Sequence, residues 1–338
     1  MANLFKKAAV CTDIHFGAKS NSEVHNQDCL NFIDWFIIKA KQENCEIAIF
    51  CGDWHNSRAS INISTLQYSL RALEKLSAAF DRVFFIPGNH DLYYRDRRDI
   101  TSVAWAQHIP NIHIVNESIY TEGDVAIVPW LIGDDHKKLG KVNAKYMFGH
   151  LELPHFLMNA KVAMPDHGEI KSEDFRGVEH VYSGHFHIRQ KQGNITYIGN
   201  CFPHNYADAW DDERGMMIQE WGKPPVYHNW PMAPRFRTLK LSELLESPET
   251  FMNNRTYLRV TLDKDVSYEE ANFVKETFHS QYGCRELALI AEKNLDLTQE
   301  YSGDIKFESV DQIVSEQLLK IQSDTFDPAL LLDIYRNL

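Results

Sequence analysis

Five short motifs carry the residues that could do chemistry in this 338-residue chain: Asp13-Ile14-His15, Gly52-Asp53, Gly88-Asn89-His90-Asp91, Gly149-His150 and Gly184-His185-Phe186-His187. They offer carboxylates, one amide oxygen and several imidazoles, a mixed oxygen and nitrogen set that suits manganese, iron or zinc and disfavours calcium. One intervening residue lets Asp13 and His15 point to the same side of an extended chain, and His185 and His187 share that spacing. Asp13, His15, Asp53, Asn89, His150, His185 and His187 are too many ligands for one ion of ordinary coordination. They fit two ions roughly 3.5 to 4 Å apart joined by a carboxylate, a pair that makes hydroxide at neutral pH and neutralises a phosphate-ester transition state. Taken singly, these motifs have plainer explanations: Asp-x-His arises by chance, Gly52-Asp53 and Gly88-Asn89-His90-Asp91 read as turns, and His-x-His reads as an exposed strand pair. Together and in this order they leave little room for coincidence.

Each motif follows an apolar run. Ala8 to Thr12, Ile47 to Cys51 and Arg82 to Ile86 read as buried strands. Between them, Asn26 is expected to cap a helix with Leu30, Ile33, Phe36, Ile37 and Ala40 on one stripe, and Ser64 a second with Leu66, Leu70, Leu73 and Leu76 inward. In an open sheet flanked by helices, ligands collect outside the carboxyl ends of the strands, so the motifs can converge on one crevice. The chain between Asp13, Asp53 and Asn89 exceeds the roughly 30 residues that one crossover needs. From Asn111 to Trp230 short strands recur at Ile112–Val115, Val125–Val128, Lys145–Phe148, His180–Tyr182, Ile195–Ile198 and Met216–Gln219, which predicts a second sheet stacked on the first.

Pro224, Pro225, Pro231 and Pro234 mark a boundary. Beyond it, Tyr257–Leu262, a helix from Ser267 to Gln281 and Glu286–Ile290 make a small strand-helix-strand module. The last segment reads as helical, with a capping box at Ser309 and Gln312, a stripe of Val310, Ile313, Val314 and Ile321, and a final helix after Asp327-Pro328 bearing Leu331, Ile334 and Leu338. The expected fold class is therefore α/β, two stacked mixed β-sheets flanked by helices, with a small α+β cap and C-terminal helices, divided at 1–232, 233–300 and 301–338.

Composition narrows the function classes. With 44% hydrophobic and 24% charged residues the chain can bury a large core, and a net charge of −12 argues against coating nucleic acid or an anionic membrane with its whole surface. No apolar run reaches membrane-spanning length, and the first ten residues lack the apolar core of a signal peptide, so a soluble protein of the cytoplasm is expected. The six scattered cysteines form no C-x-x-C pair and read as buried thiols of a reducing compartment.

The motifs resemble the calcineurin-like metallophosphoesterase superfamily, whose signature is Asp-x-His, Gly-Asp, Gly-Asn-His-Asp/Glu, Gly-His and Gly-His-x-His. Within it, four stretches are most similar to SbcD-type DNA repair nucleases, in particular the short phage recombination endonuclease subunits. They are Asn89-His90-Asp91-Leu92-Tyr93-Tyr94, Pro129-Trp130, Gly149-His150-Leu151-Glu152-Leu153, and Ser183-Gly184-His185-Phe186-His187 followed by Tyr197-Ile198-Gly199. The resemblance covers about residues 8 to 230. It implies the metallophosphoesterase fold, with Asp13, His15 and His187 holding the first metal, Asn89, His150 and His185 the second, and Asp53 bridging. His90 would be the catalytic histidine at the leaving oxygen, with Asp91 orienting its ring, and manganese is the expected ion. The chain departs from the pattern at Asn56, three residues after the bridging Asp, where the family often has Asp or His; His55 stands one position earlier.

Three functions compete: a DNA-end nuclease subunit for recombination and double-strand-break repair, a free-standing phosphatase or cyclic-nucleotide phosphodiesterase, and a metal-free scaffold. The scaffold loses because every ligand and His90 is present. Tyr93-Tyr94-Arg95-Asp96-Arg97-Arg98 follows the catalytic motif and mixes aromatic and basic residues, as phosphate positioning and base stacking require, so Tyr93, Arg95, Arg97 and Arg98 are expected DNA contacts, extended by Lys19 and Arg58. The resemblance further implies a DNA-facing cap, a docking segment for an SbcC-type ATPase and a homodimer, in the host cytoplasm if the chain is phage-encoded. Between Tyr301 and Leu338 three basic residues stand against seven acidic ones, which suits a protein partner better than DNA. No G-x-x-x-x-G-K-[ST] sequence occurs, so ATP dependence would come from another chain.

Overall fold

The computed structural model describes residues 3–291, apart from 160, 161, 169 and 265. The expected segments between 301 and 338 lie outside the described residues. In chain order, β1 (Lys7–Cys11), β2 (Ile47–Phe50), β3 (Arg82–Phe85) and β4 (Ile112–Ile114) run parallel in one sheet. β5 (Tyr120–Glu122), β6 (Val125–Val128) and β7 (Ala144–His150) begin a second sheet, and β8 (Leu157–Asn159) with β9 (Val162–Ala163) forms a small excursion. β10 (Val178–Gly184), β11 (Gln190–Gln192) and β12 (Ile195–Tyr197) complete the second sheet, whose order is β11-β12-β10-β7-β6-β5. The chain then returns through β13 (Gly215–Glu220) and β14 (Val226–Asn229) to the first sheet, giving β14-β13-β1-β2-β3-β4.

This placement corrects one expectation. Ile112–Ile114 and Gly215–Glu220 belong to the first sheet, because β4 pairs parallel with β3 and β13 antiparallel with β1. Short apolar strands advertise burial but not the partner that closes their ladder. Alternation within the strands then sorts the layers. Ala8 and Val10 of β1, Ile47 and Ile49 of β2 and Met217 of β13 face Ile127, Tyr146, Phe148 and Tyr182 of the second sheet. Ala9, Cys11, Ala48 and Phe50 face the helices.

Two helices cover that outer face. The Glu23–Gln42 helix is capped by Ser22, whose side chain accepts from the His25 N–H, and it buries Leu30, Phe32, Ile33 and Phe36. Asn26, expected as the cap, lies inside the helix and is buried. Its Oδ1 accepts from the Gly17 N–H at 2.8 Å and its Nδ2 donates to Thr65 Oγ1 at 3.0 Å, tying the first loop to the second helix. That second helix, Ile63–Ala79, is capped by Asn62 and not by Ser64, since the Asn62 carboxamide accepts from the Ser64 N–H. Its inward face carries Thr65, Ser69, Ala72, Leu73 and Leu76, and Leu66 is exposed. Ser69 explains the rotation of the stripe: its hydroxyl accepts from Trp54 Nε1 and meets His55 Nε2, both behind the candidate site.

A third, parallel sheet follows the prolines: β15 (Arg235–Lys240), β16 (Thr256–Leu262) and β17 (Glu286–Ala291), with the Tyr268–Tyr282 helix between the last two strands. It has its own core of Leu239, Leu244, Leu258, Val260 and Leu287. Phe236 and Tyr257 stack at 4.6 Å and hold the Lys19 ammonium over their rings, 3.8 Å from Tyr257, while Arg285 pairs with Asp28. All six cysteines are free and buried, and among the described residues no helix is long and apolar enough to cross a membrane.

Candidate metal centre

The five motifs sit at the carboxyl ends of β1, β2, β3, β7 and β10, all interior strands of the two sheets. Asp13 and His15 follow β1, Asp53 follows β2, Asn89 follows β3, His150 ends β7 and His185 directly follows β10. Asp13 and His15 are not extended as their spacing predicts. Their φ angles are 54° and 53°, Asp53 has 59° and His185 91°, a left-handed region that costs non-glycine residues about 1 to 3 kcal/mol each. Such backbones persist because the surroundings over-determine them, and they cluster where side chains must be aimed. Close approach also dictates the glycines here. A Cβ on Gly184 would lie 2.0 Å from Thr12 Oγ1, and one on Gly88 2.2 Å from Asp53 Oδ1.

All seven expected ligands come together, in two groups. Asp13, His15 and His187 present donor atoms within 4.8 Å of one another, and Asp53, His150 and His185 do the same. Asp53 Oδ2 stands between the groups, 3.7 Å from His15 Nε2 and 3.4 Å from His150 Nε2, while its Oδ1 accepts from the His90 N–H at 2.9 Å. The tautomers of the second group can be read from its neighbours. His150 Nδ1–H donates to the Cys51 carbonyl at 2.7 Å and His185 Nε2–H to Glu152 at 3.0 Å. The remaining nitrogens, His150 Nε2 and His185 Nδ1, both face Asn89 Oδ1 at 3.1 Å. With His150 neutral, lone pairs converge on lone pairs here, and a proton on His150 Nε2 or a bound cation relieves the repulsion. In the first group Asp13 Oδ1 and both His15 nitrogens are buried without a hydrogen-bond partner, a further mark of a cation position. The residues fit two divalent ions, and the oxygen and imidazole donors suit manganese, iron or zinc.

The charges agree with this reading. Burial opposes the Asp53 charge, yet the imidazoles of His150, His15 and His90 hold its carboxyl well below the usual range. Burial likewise opposes a charged His150, but Asp53 and Asp13 push it up to about 9. That negative field is what a divalent cation satisfies.

Asp91 does not orient the His90 ring. Its carboxylate accepts from the backbone N–H groups of Asp53, Trp54, His55 and Gly88 at 2.9 to 3.2 Å, so it shapes the turn that carries Asp53. Burial and the neighbouring Asp53 charge push it up to about 6, against those donors. The His90 ring is held instead by the Asn56 carbonyl, which accepts from Nδ1–H at 2.7 Å. His90 lines a cleft of about 340 Å³ with His15, Asp53, Asn89, His185 and His187. His55 is buried between Ser69 and Ser102 and burial lowers it to about 3, so it is a neutral structural residue with no access to substrate.

The expected DNA contacts separate. Tyr93 is 47% exposed and meets Tyr94 edge-on at 4.7 Å. Arg97 lies on the Tyr94 ring at 3.7 Å, and Arg95 is exposed. Arg58 is half-buried in the loop after β2. Lys19 lines the cleft, where burial lowers it to about 8, and its ammonium is held by the third sheet's rings. Arg98 leaves the set: it is largely buried, pairs with Asp135 and donates Nε–H to the Trp130 carbonyl at 3.0 Å. Alternating charge in a short segment does not reveal which arginine a neighbouring loop will claim.

Sequence reasoning assigned no role to Glu152, which meets His185 Nε2 at 3.0 Å, or to Trp130, whose ring lies 5.0 Å from that of His185, although both fall in the resembling stretches. Glu152 was legible as the one acid two residues after His150. It also missed His25 and His204, which have no motif around them.

The family model described as calcineurin-like phosphoesterase matches residues 6–189. The chain belongs to that family. Relatives of this chain include exonuclease subunit 1 of Enterobacteria phage T4, 25% identical over 214 residues that make up 61% of this chain and 62% of that protein. Uncharacterized protein L509 of Acanthamoeba polyphaga mimivirus is 34% identical over 62 residues, 16% of this chain and 22% of that one. The chain therefore spans less than two thirds of either relative. Among solved structures, the Pseudomonas putida nuclease MPE aligns over 66% of this chain and 78% of its own at 17% identity and a TM-score of 0.29. A dimetal phosphatase from Danio rerio aligns over 63% and 91% at 10% identity and a TM-score of 0.39.

Proposed function

We propose that this phosphoesterase is a dimetal DNA nuclease that hydrolyses phosphodiester bonds at DNA ends. Asp13, His15 and His187 hold one ion, Asn89, His150 and His185 the other, and Asp53 is shared between them. The observation that carries the reading is Asp53 Oδ2, 3.7 Å from one ligand group and 3.4 Å from the other. When bound, such a pair supplies hydroxide at neutral pH and offsets charge on the phosphoryl oxygens. The chain's own residues do the rest. Asp53 Oδ1 accepts from the His90 N–H, which keeps His90 beside the shared carboxylate. The Asn56 carbonyl holds His90 Nδ1–H whether the ring is neutral or charged, so Nε2 can take or give a proton at the leaving oxygen without moving.

DNA as the substrate is favoured by the exposed Tyr93, Arg95 and Arg97 just beyond His90, and by the phage T4 relative named as an exonuclease subunit. The same reading includes manganese as the ion, an SbcC-type ATPase partner and a homodimer, on the resemblance to SbcD-type nucleases. Incubation with manganese chloride should cut linear duplex DNA, and chelation should stop it. Hydrolysis of p-nitrophenyl phosphate or a cyclic nucleotide with DNA left intact would replace this reading with a small-molecule phosphatase.

The surface arginines have their own test. Replacing Arg95 and Arg97 together by Ala should weaken DNA binding and lower the salt slope by about 0.9 for each phosphate no longer neutralised. Arg98→Ala should leave the slope alone and lower the melting temperature, because it removes the more buried of the two cations that Asp135 pairs with, leaving Lys138 alone. An unaltered slope in the double variant would place DNA elsewhere on the molecule.

A further inference from the structure

The Thr12–His15 segment carries two ligand side chains, and each of its four backbone carbonyls is met by a side-chain donor. Cys201 Sγ–H donates to Thr12 at 3.0 Å, His204 Nε2–H to Asp13 at 3.0 Å, Cys29 Sγ–H to Ile14 at 3.4 Å and His25 Nε2–H to His15 at 2.9 Å. All four donors are buried. They reach the segment from two sides, Cys201 and His204 from the stretch after β12, His25 and Cys29 from the first turns of the Glu23–Gln42 helix. The segment's other edge is tied to the Asp53 turn, with Asp13 N–H donating to the Gly52 carbonyl and His15 N–H to the Asp53 carbonyl.

The donors are not equivalent. A thiol is a weak donor and an imidazole N–H a full one. The two imidazoles take the carbonyls of Asp13 and His15, the ligand residues at positive φ, while the thiols take those of Thr12 and Ile14, which are not. We propose that His204 and His25 are positioning residues of the metal centre, holding Asp13 and His15 in the left-handed backbone conformation that turns both side chains toward one ion position. The proposal rests on the two-metal reading given above. Both rings are buried, and each presents Nε2 to its carbonyl, His25 at 2.9 Å and His204 at 3.0 Å. The His204 ring lies 5.3 Å from His15 and 5.5 Å from His187, beside the first ligand group.

The test titrates the metal-free full chain with manganese chloride by calorimetry and follows the exchange-coupled ion pair by electron paramagnetic resonance. A wild-type chain that fails to bind two ions sinks the two-metal reading itself, before any variant is considered. Given two ions, His204→Phe, which keeps bulk without the donor, should weaken one site by the 10- to 100-fold typical of removing a hydrogen-bond partner behind the ligands. His204→Gln, whose amide can still donate where Nε2–H did, should bind close to wild type. His204→Asn is polar but too short to reach, and should behave like the Phe variant; it carries the comparison if the Phe variant does not fold. His25→Gln and His25→Asn should repeat the pattern at His15. Wild-type binding by the Phe and Asn variants would overturn the proposal. So would a Gln variant as weak as they are, since the imidazole would then act as a ligand or as filler and not through its N–H.

Discussion

Asp53→Asn is expected to lower phosphodiester hydrolysis by at least about 10⁴-fold, the upper end of the loss from a single proton-transfer group, because both ion positions lose a shared anion at once. The substitution isolates that charge. The Asn carbonyl oxygen can keep the place of Oδ1 and go on accepting the His90 N–H, so the turn and the His90 backbone stay where they are. What disappears is the negative charge at Oδ2, 3.7 Å from His15 Nε2 and 3.4 Å from His150 Nε2. Calorimetric titration with manganese should show the second equivalent weakened most and the ion pair's spin coupling abolished. Two tightly bound, coupled ions in the variant would mean that Asp53 is not the bridge.

His90→Ala should behave differently. Hydrolysis should fall about 10²- to 10⁴-fold while two ions remain bound, because the ring belongs to neither ligand group and its Nδ1–H is spent on the Asn56 carbonyl. The backbone N–H that donates to Asp53 is kept in Ala, so the bridge keeps its hydrogen bond. A substrate with a better leaving group should recover much of the rate if His90 protonates the leaving oxygen. Loss of an ion on substitution would make His90 a ligand, and an equal decrease for every leaving group would move its role to substrate binding.

Legibility in the sequence followed the range of the physics. The strands β1, β2 and β3 were readable because a run buried on both faces has to be apolar along its length, and the ligand motifs because they follow those strands at once. The helix caps were misread by a few residues at Asn26 and Ser64, since Ser, Asn and Thr serve equally as caps and as buried cross-links. Pairing of β4 and β13 with the first sheet was not readable, because the edge that receives a strand lies far away in sequence.

By itself the sequence determined the donor set: which carboxylates, amide and imidazoles exist, and that each follows a strand end in an order that lets them meet. Tertiary structure alone decided how they are aimed. The positive φ angles of Asp13, His15 and Asp53, the seat of Asp91 under the Asp53 turn, the transfer of His90 to the Asn56 carbonyl and the capture of Arg98 by Asp135 all depend on contacts between segments distant along the chain. Residue type limits what a side chain can donate or accept. Which partner it finds is a long-range property, because buried polar groups are satisfied by whatever the packing of the two sheets and their helices brings within about 3 Å.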